Sequence, residues 1–139
     1  MSAKDRFHDA VKTALEKDGW TITDDPLRIP IDRLTNMFID IAAEKLIVAN
    51  REGQKIAVEV KSFLSPSTMS DFHTALGQFI NYRYALEEHE PERVLYLAVP
   101  ATTYEEFFTT RFIKVVTQRS QINLLIFDPA KEEIVQWQN

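Results

Sequence analysis

The stretch from Gln54 to Phe63 (QKIAVEVKSF) has the two-residue alternation of a strand. Ile56, Val58 and Val60 project to one side, and Lys55, Ala57, Glu59 and Lys61 to the other. An equally apolar stretch, Phe38 to Asn50, precedes it. The intervening Arg51-Glu52-Gly53-Gln54 has the composition of a compact turn, with Gly53 able to take positive φ. Together they predict a long antiparallel hairpin, which commits the chain to a sheet that other elements must cover.

Those elements are readable on either side. Lys4 to Lys17 places Phe7, Val11, Ala14 and Leu15 on one helical stripe, and Gly19 stops it. Trp20 to Thr23 reads as a short strand. Asp24-Asp25-Pro26 and Arg28-Ile29-Pro30-Ile31 read as a loop or irregular edge, and Arg33 to Met37 is ambiguous. A long helix is expected from Ser70 to Glu87, buried through Phe72, Leu76, Phe79, Ile80 and Leu86. Arg93 to Val99 is apolar on both faces, as a central strand is. A helical stripe from Thr102 to Val116, broken near Thr109-Thr110, leads to strands at Ile122–Phe127 and Glu133–Trp137. Short connections throughout predict one α/β domain spanning residues 1–139, with a mixed central sheet and flanking helices.

The chain has no cysteine, which excludes disulfide scaffolds, thiol catalysis and thiolate-ligated zinc and predicts a protein of the reducing cytoplasm. No signal core or apolar run of membrane-spanning length is visible. A net charge of −5 argues against strong autonomous binding to duplex DNA. Arg111, Lys114 and Arg119 nonetheless form a local basic strip without acids, a candidate nucleic-acid contact.

Glu59 and Lys61 share one face of a strand with apolar neighbours, and ionised groups there are costly to desolvate without partners. Asp40 lies on the preceding strand among Phe38, Ile39 and Ile41. Two carboxylates and a lysine suit metal-assisted phosphodiester hydrolysis. Asp40 and Glu59, with the Val60 carbonyl, would hold Mg²⁺ or Mn²⁺, and Lys61 would orient water and offset charge. A Glu-x-Lys pair on a half-covered, solvent-facing sheet is the competing explanation. Register raises a difficulty: a hairpin turning at Glu52 places Glu59 opposite Glu44 or Lys45, with Asp40 roughly 13 Å further along. Glu44 is therefore the alternative metal ligand. His73 and His89 read as structural or solvent-facing, and three scattered histidines make no zinc set.

Asp40 and Glu59-Val60-Lys61 resemble the core motif of the PD-(D/E)xK nuclease superfamily. Gln78-Phe-Ile-Asn-Tyr82 resembles the Q-xxx-Y element of its RecB-like branch. The resemblance implies a restriction-endonuclease-like fold, with Gln78 near the metal and Tyr82 near nucleic acid. Many such nucleases carry a glutamate on the first helix; here that helix offers Asp5, His8 and Asp9, and His8 is the candidate for accepting a proton or touching phosphate. A narrower resemblance covers nearly the whole chain. Phe38 to Ala49, Gly53 to Phe63, Lys4 to His8 and Leu95 to Pro100 are similar to the cyanobacterial XisH proteins. XisH proteins are known as excision controlling factors for the fdxN element, which a site-specific recombinase removes. The resemblance implies an accessory role in DNA excision, with an XisI-like partner, either as a metal-dependent endonuclease or as a non-catalytic subunit that keeps a nuclease fold.

Overall fold

The computed structural model describes residues 5–45 and 53–139. Helix α1 (His8–Lys17) buries Val11, Ala14 and Leu15. It ends in two crossed hydrogen bonds, Gly19 N to Glu16 O and Trp20 N to Leu15 O. Gly19, at φ +91°, supplies the left-handed residue this closure needs. Strand β1 (Thr21–Asp24) follows.

The segment expected to be a loop or irregular edge, with the ambiguous stretch after it, forms a second, two-stranded sheet. β2 (Leu27–Pro30) pairs antiparallel with β3 (Asn36–Ile39). Leu27, Ile29 and Ile39 point inward; Arg28 and Phe38 point out. Pro30 stands at the end of its strand, where a missing N–H donor is tolerated.

At Asp40 the chain leaves the small sheet and enters the large one as β4 (Ile41–Lys45). The expected Phe38–Asn50 strand is thus two strands in different sheets, and its last residues and the start of the expected turn fall outside the described residues. β5 (Gln54–Val60) pairs antiparallel with β4. Helix α2 (Thr68–His89) crosses over to β6 (Arg93–Pro100), which runs parallel to β5. A second crossover comprises α3 (Ala101–Thr103), a π-helical turn (Tyr104–Phe108) and α4 (Arg111–Arg119), with Thr110 extended between the last two. It leads to β7 (Leu124–Asp128), parallel to β6, and β8 (Glu133–Gln138), antiparallel to β7. The six-stranded order is β1-β4-β5-β6-β7-β8, a mixed central sheet flanked by helices.

Alternation in β5 and β6 divides the core. Ile56, Val58, Val60, Tyr96 and Ala98 pack with Val11 and Leu15 of α1. Ala57, Leu95, Leu97 and Val99 pack with Phe72, Phe79 and Leu86 of α2 and Ile113 of α4. Glu59 shares the parity of Ala57 and therefore lies on the α2 side, inside the apolar layer.

Ser67 caps α2, its Oγ accepting from Ser70 N at 3.1 Å. Ser67→Ala is expected to lower stability by about 1 kcal/mol. Urea denaturation would read this as a lower midpoint with an unchanged slope.

Candidate functional site

In the β4–β5 register Ile41 faces Val58 and Glu44 faces Lys55. Extended by one pair, it sets Asp40 opposite Glu59, on one face of the hairpin. The expected offset does not arise, because Glu44 pairs with Lys55 and not with Glu59. No bulge is needed. Asp40 N donates to Glu59 Oε1 at 3.3 Å, and Val60 N donates to Asp40 Oδ2 at 2.8 Å. Asp40 can accept from Val60 because it sits at the bend between sheets, where it has left the ladder.

Glu44 lies at the other end of β4. Its Oε1 is 3.8 Å from Lys55 Nζ and 3.7 Å from Arg93 Nη2. Asp40 and Glu44 share parity, but four residues of strand separate them by roughly 13 Å. The structure joins Asp40, not Glu44, to Glu59.

The pair is short of both water and positive charge. Glu59 is 6% exposed. Burial first, and the Asp40 charge second, push its carboxyl up to about 8, against the pull of Lys61. Burial also raises Asp40, opposed mainly by the Val60 N–H bond. That N–H bond favours the ionised form at Asp40. Both carboxyls are thus raised, and near neutral pH the pair, taken together, favours holding a proton.

Tyr82 and Gln78 lie one turn apart on α2. Burial, then the charges of Glu59 and Asp40, raise the Tyr82 phenol to about 12, so its hydroxyl stays protonated beside the pair. Gln78 Oε1 is buried without a hydrogen-bond partner among the described residues.

The N-terminal segment closes the other side. Asp5 accepts from Ser62 N at 2.9 Å and from Phe7 N at 3.0 Å, pinning the chain just beyond Lys61. His8 is buried near Asp40, and its Nε2 is 2.7 Å from Asp25 Oδ1. Lys12 Nζ holds the other Asp25 oxygen at 2.7 Å. Burial works against the Asp25 charge, but Lys12 and His8 outweigh it and hold that carboxyl below its usual range. His8 Nδ1 is buried without a partner among the described residues. The sequence marks neither acid as a partner: Asp5 lies at the edge of the expected first helix and Asp25 in the expected loop, and their contacts are made only in the folded chain.

Arg111, Lys114 and Arg119 occupy the exposed face of α4 and make no hydrogen bond or ion pair to Asp40, Glu59 or Lys61. A cleft of about 230 Å³ opens beside Lys61, lined by Asp5, Ser62, Ser65, Asp71 and Thr74 among others.

Among the described residues, no group of three or more histidines or acids converges closely enough to hold a metal ion. Two facing carboxylates still suit a small hard cation that keeps most of its water, and a cation would relieve the repulsion that keeps Glu59 protonated. The donor set fits Mg²⁺ or Mn²⁺ in that restricted sense. Among the described residues, no helix is long and apolar enough to cross a membrane.

The XisH protein family model matches residues 1–135. A crystal structure of an XisH family protein from Nostoc punctiforme PCC 73102 is 57% identical, with a TM-score of 0.87, covering 97% of this chain and all of that one. That of an fdxN element excision controlling factor protein from Anabaena variabilis is also 57% identical, with a TM-score of 0.85, covering 96% and 98%. No curated protein matches the chain. With the family match running almost end to end, the chain belongs to the XisH family.

Proposed function

We propose that this protein is an accessory factor in excision of a DNA element, acting through protein contacts and not by cutting DNA. The observation that carries this reading is 57% identity, over nearly the whole of both chains, to a protein named as an fdxN element excision controlling factor. The expected partners are an XisI-like protein and a site-specific recombinase. Three features of the chain support a non-catalytic role. Its net charge is −5, which disfavours holding DNA alone. Only two carboxylates meet at the candidate site among the described residues. Burial and the Asp40 charge push Glu59 up to about 8, so the pair does not carry its full double charge at neutral pH without a bound cation.

A second reading rests on a specific observation, the placement of Asp40 opposite Glu59 with Lys61 next on the same side. On this reading the scaffold is restriction-endonuclease-like and the protein is a metal-dependent DNA phosphodiesterase. The order α1, antiparallel hairpin, α2, parallel β6 supports such a scaffold. Asp40, Glu59 and the Val60 carbonyl would hold Mg²⁺ or Mn²⁺, which supplies phosphate polarisation and an acidified water. Lys61 would offset negative charge. The Gln78 amide oxygen and the protonated Tyr82 hydroxyl would orient groups beside the pair.

An excision assay with Lys61→Ala separates the two. Normal excision by a folded variant is the expected result. Loss of excision with XisI-like partner binding intact would favour the phosphodiesterase. Purified protein, with and without its companion, is expected to leave supercoiled, linear and branched DNA whole in Mg²⁺ or Mn²⁺. Cleavage abolished by Asp40→Asn would overturn the accessory reading.

A further inference from the structure

Helices α2 and α4 cover the same face of the large sheet, since Phe79, Leu86 and Ile113 belong to one apolar cluster. Arg83 ties them together, its Nη1 donating to Ser120 O at 2.7 Å and Gln121 O at 3.1 Å. Their outward faces therefore form one continuous surface. On α2 the exposed stripe is Gly77, Asn81, Tyr84 and Glu88, with Glu87 beside it. On α4 it is Arg111, Val115 and Arg119, flanked by Phe112 and Lys114.

These two stripes have complementary chemistry. Tyr84 is 59% exposed, with Glu87 and Glu88 three and four residues on; Phe112 is 67% exposed on a helix whose exposed residues include Arg111, Lys114 and Arg119. Among the described residues, Glu87, Glu88, Arg111, Lys114 and Arg119 have no ion-pair partner. Gly77 adds a further sign. Glycine weakens a helix interior, yet a methyl group here would meet nothing within 4 Å. No neighbour among the described residues explains its lack of a side chain. A bare position on the same exposed stripe as Tyr84 suits close helix docking.

We propose that this face is a two-fold dimer interface in which the Gly77–Glu88 stripe of one copy docks on the Arg111–Arg119 stripe of a second. A two-fold axis between adjacent patches of opposite sign sets each against its complement, twice. The exposed aromatics become an apolar centre and the charges its rim. Duplex DNA fits this surface less well: the adjoining Glu87 and Glu88 would repel phosphate, and Phe112 and Val115 would stay uncovered. The proposal does not rest on the excision reading.

Sedimentation velocity of the full chain tests it. At micromolar concentration and about 50 mM salt the protein is expected to be a dimer. Its dissociation constant should rise at least tenfold at about 0.5 M salt, as screening weakens the rim. R111E/K114E/R119E and E87K/E88K should each be monomeric under the low-salt condition, with circular dichroism reporting intact folds. An equimolar mixture of the two should return to dimer, because both contacts are then complementary again. Gly77→Leu, which fills the bare position without changing charge, should also give a monomer. A monomeric wild type, or a dimer indifferent to both charge reversals, would overturn the proposal.

Discussion

Glu59→Gln is expected to stabilise the protein by about 2–4 kcal/mol at pH 8.5, or roughly 6–12 °C in Tm, and to change little at pH 5. The Glu59 carboxyl has its midpoint at about 8 in the folded chain against an ordinary 4.5. Between those values the native state binds more protons than the unfolded state, so stability falls as pH rises. The favourable end is below about 4.5, where both states are protonated at this group. The full penalty is present above about 8. Asp40, also raised, contributes in the same direction. Glutamine removes the charge and keeps the shape. Its amide oxygen can still accept from Asp40 N, and its NH₂ can donate to the Asp40 carboxylate. Urea denaturation of both proteins at pH 5, 7 and 8.5 measures the difference. A gap that does not widen with pH would mean that water or a cation neutralises the pair in solution.

Phe72→Ala should cost about 3–5 kcal/mol. Phe72 is 2% exposed, and its ring meets those of Phe107 and Phe108 at 5.5 and 5.8 Å. Phe63 joins the same group through Phe108 at 5.6 Å. Four rings here clamp the start of α2, the π-helical turn and the segment leaving β5. Truncation leaves a void that the helix cannot close without dragging the others. Phe63 already holds a left-handed backbone, φ 56°, which a non-glycine residue adopts at some cost. A domain of this kind has only about 5–15 kcal/mol in total, so the variant should unfold at much lower denaturant. Leu34→Ala, at a site 94% exposed, provides the comparison and should stay within about 0.5 kcal/mol. Equal losses at the two sites would mean that the aromatic cluster is not tightly packed.

Much of this architecture is legible where burial imposes a period. The alternation of Ile56, Val58 and Val60, the stripe through Phe72 and Phe79, and the apolar run at β6 each identify their element. So does the break at Thr109-Thr110, where an extended Thr110 precedes a new helix. The β2–β3 sheet was hidden because two prolines flank Leu27 and Ile29, and the turn-forming signal outweighed their alternation. The site was legible in residue type more than in register. Asp40, Glu59 and Lys61 stand out as charges among apolar neighbours, but which acid meets Glu59 depends on where the hairpin reverses. A shift of a few residues in that point exchanges Asp40 for Glu44. Asp5 and Asp25 could not be found this way, because their partners, Ser62 and His8, are brought to them only by tertiary folding.

The order of strands has a consequence for how the molecule assembles. Asp40 and Glu59 sit on neighbouring antiparallel strands, so one modest loop closure brings the two acids together. Contacts of β5 with β6 and of β6 with β7 close much longer stretches of chain, each containing a helical crossover, and so are expected to form later. Early in folding the carboxylates are therefore neighbours in water, where both can ionise cheaply. They lose that solvent only when α2 closes over them. The final docking step should accordingly take up a proton near neutral pH, and refolding should be faster in mildly acidic buffer than in alkaline buffer.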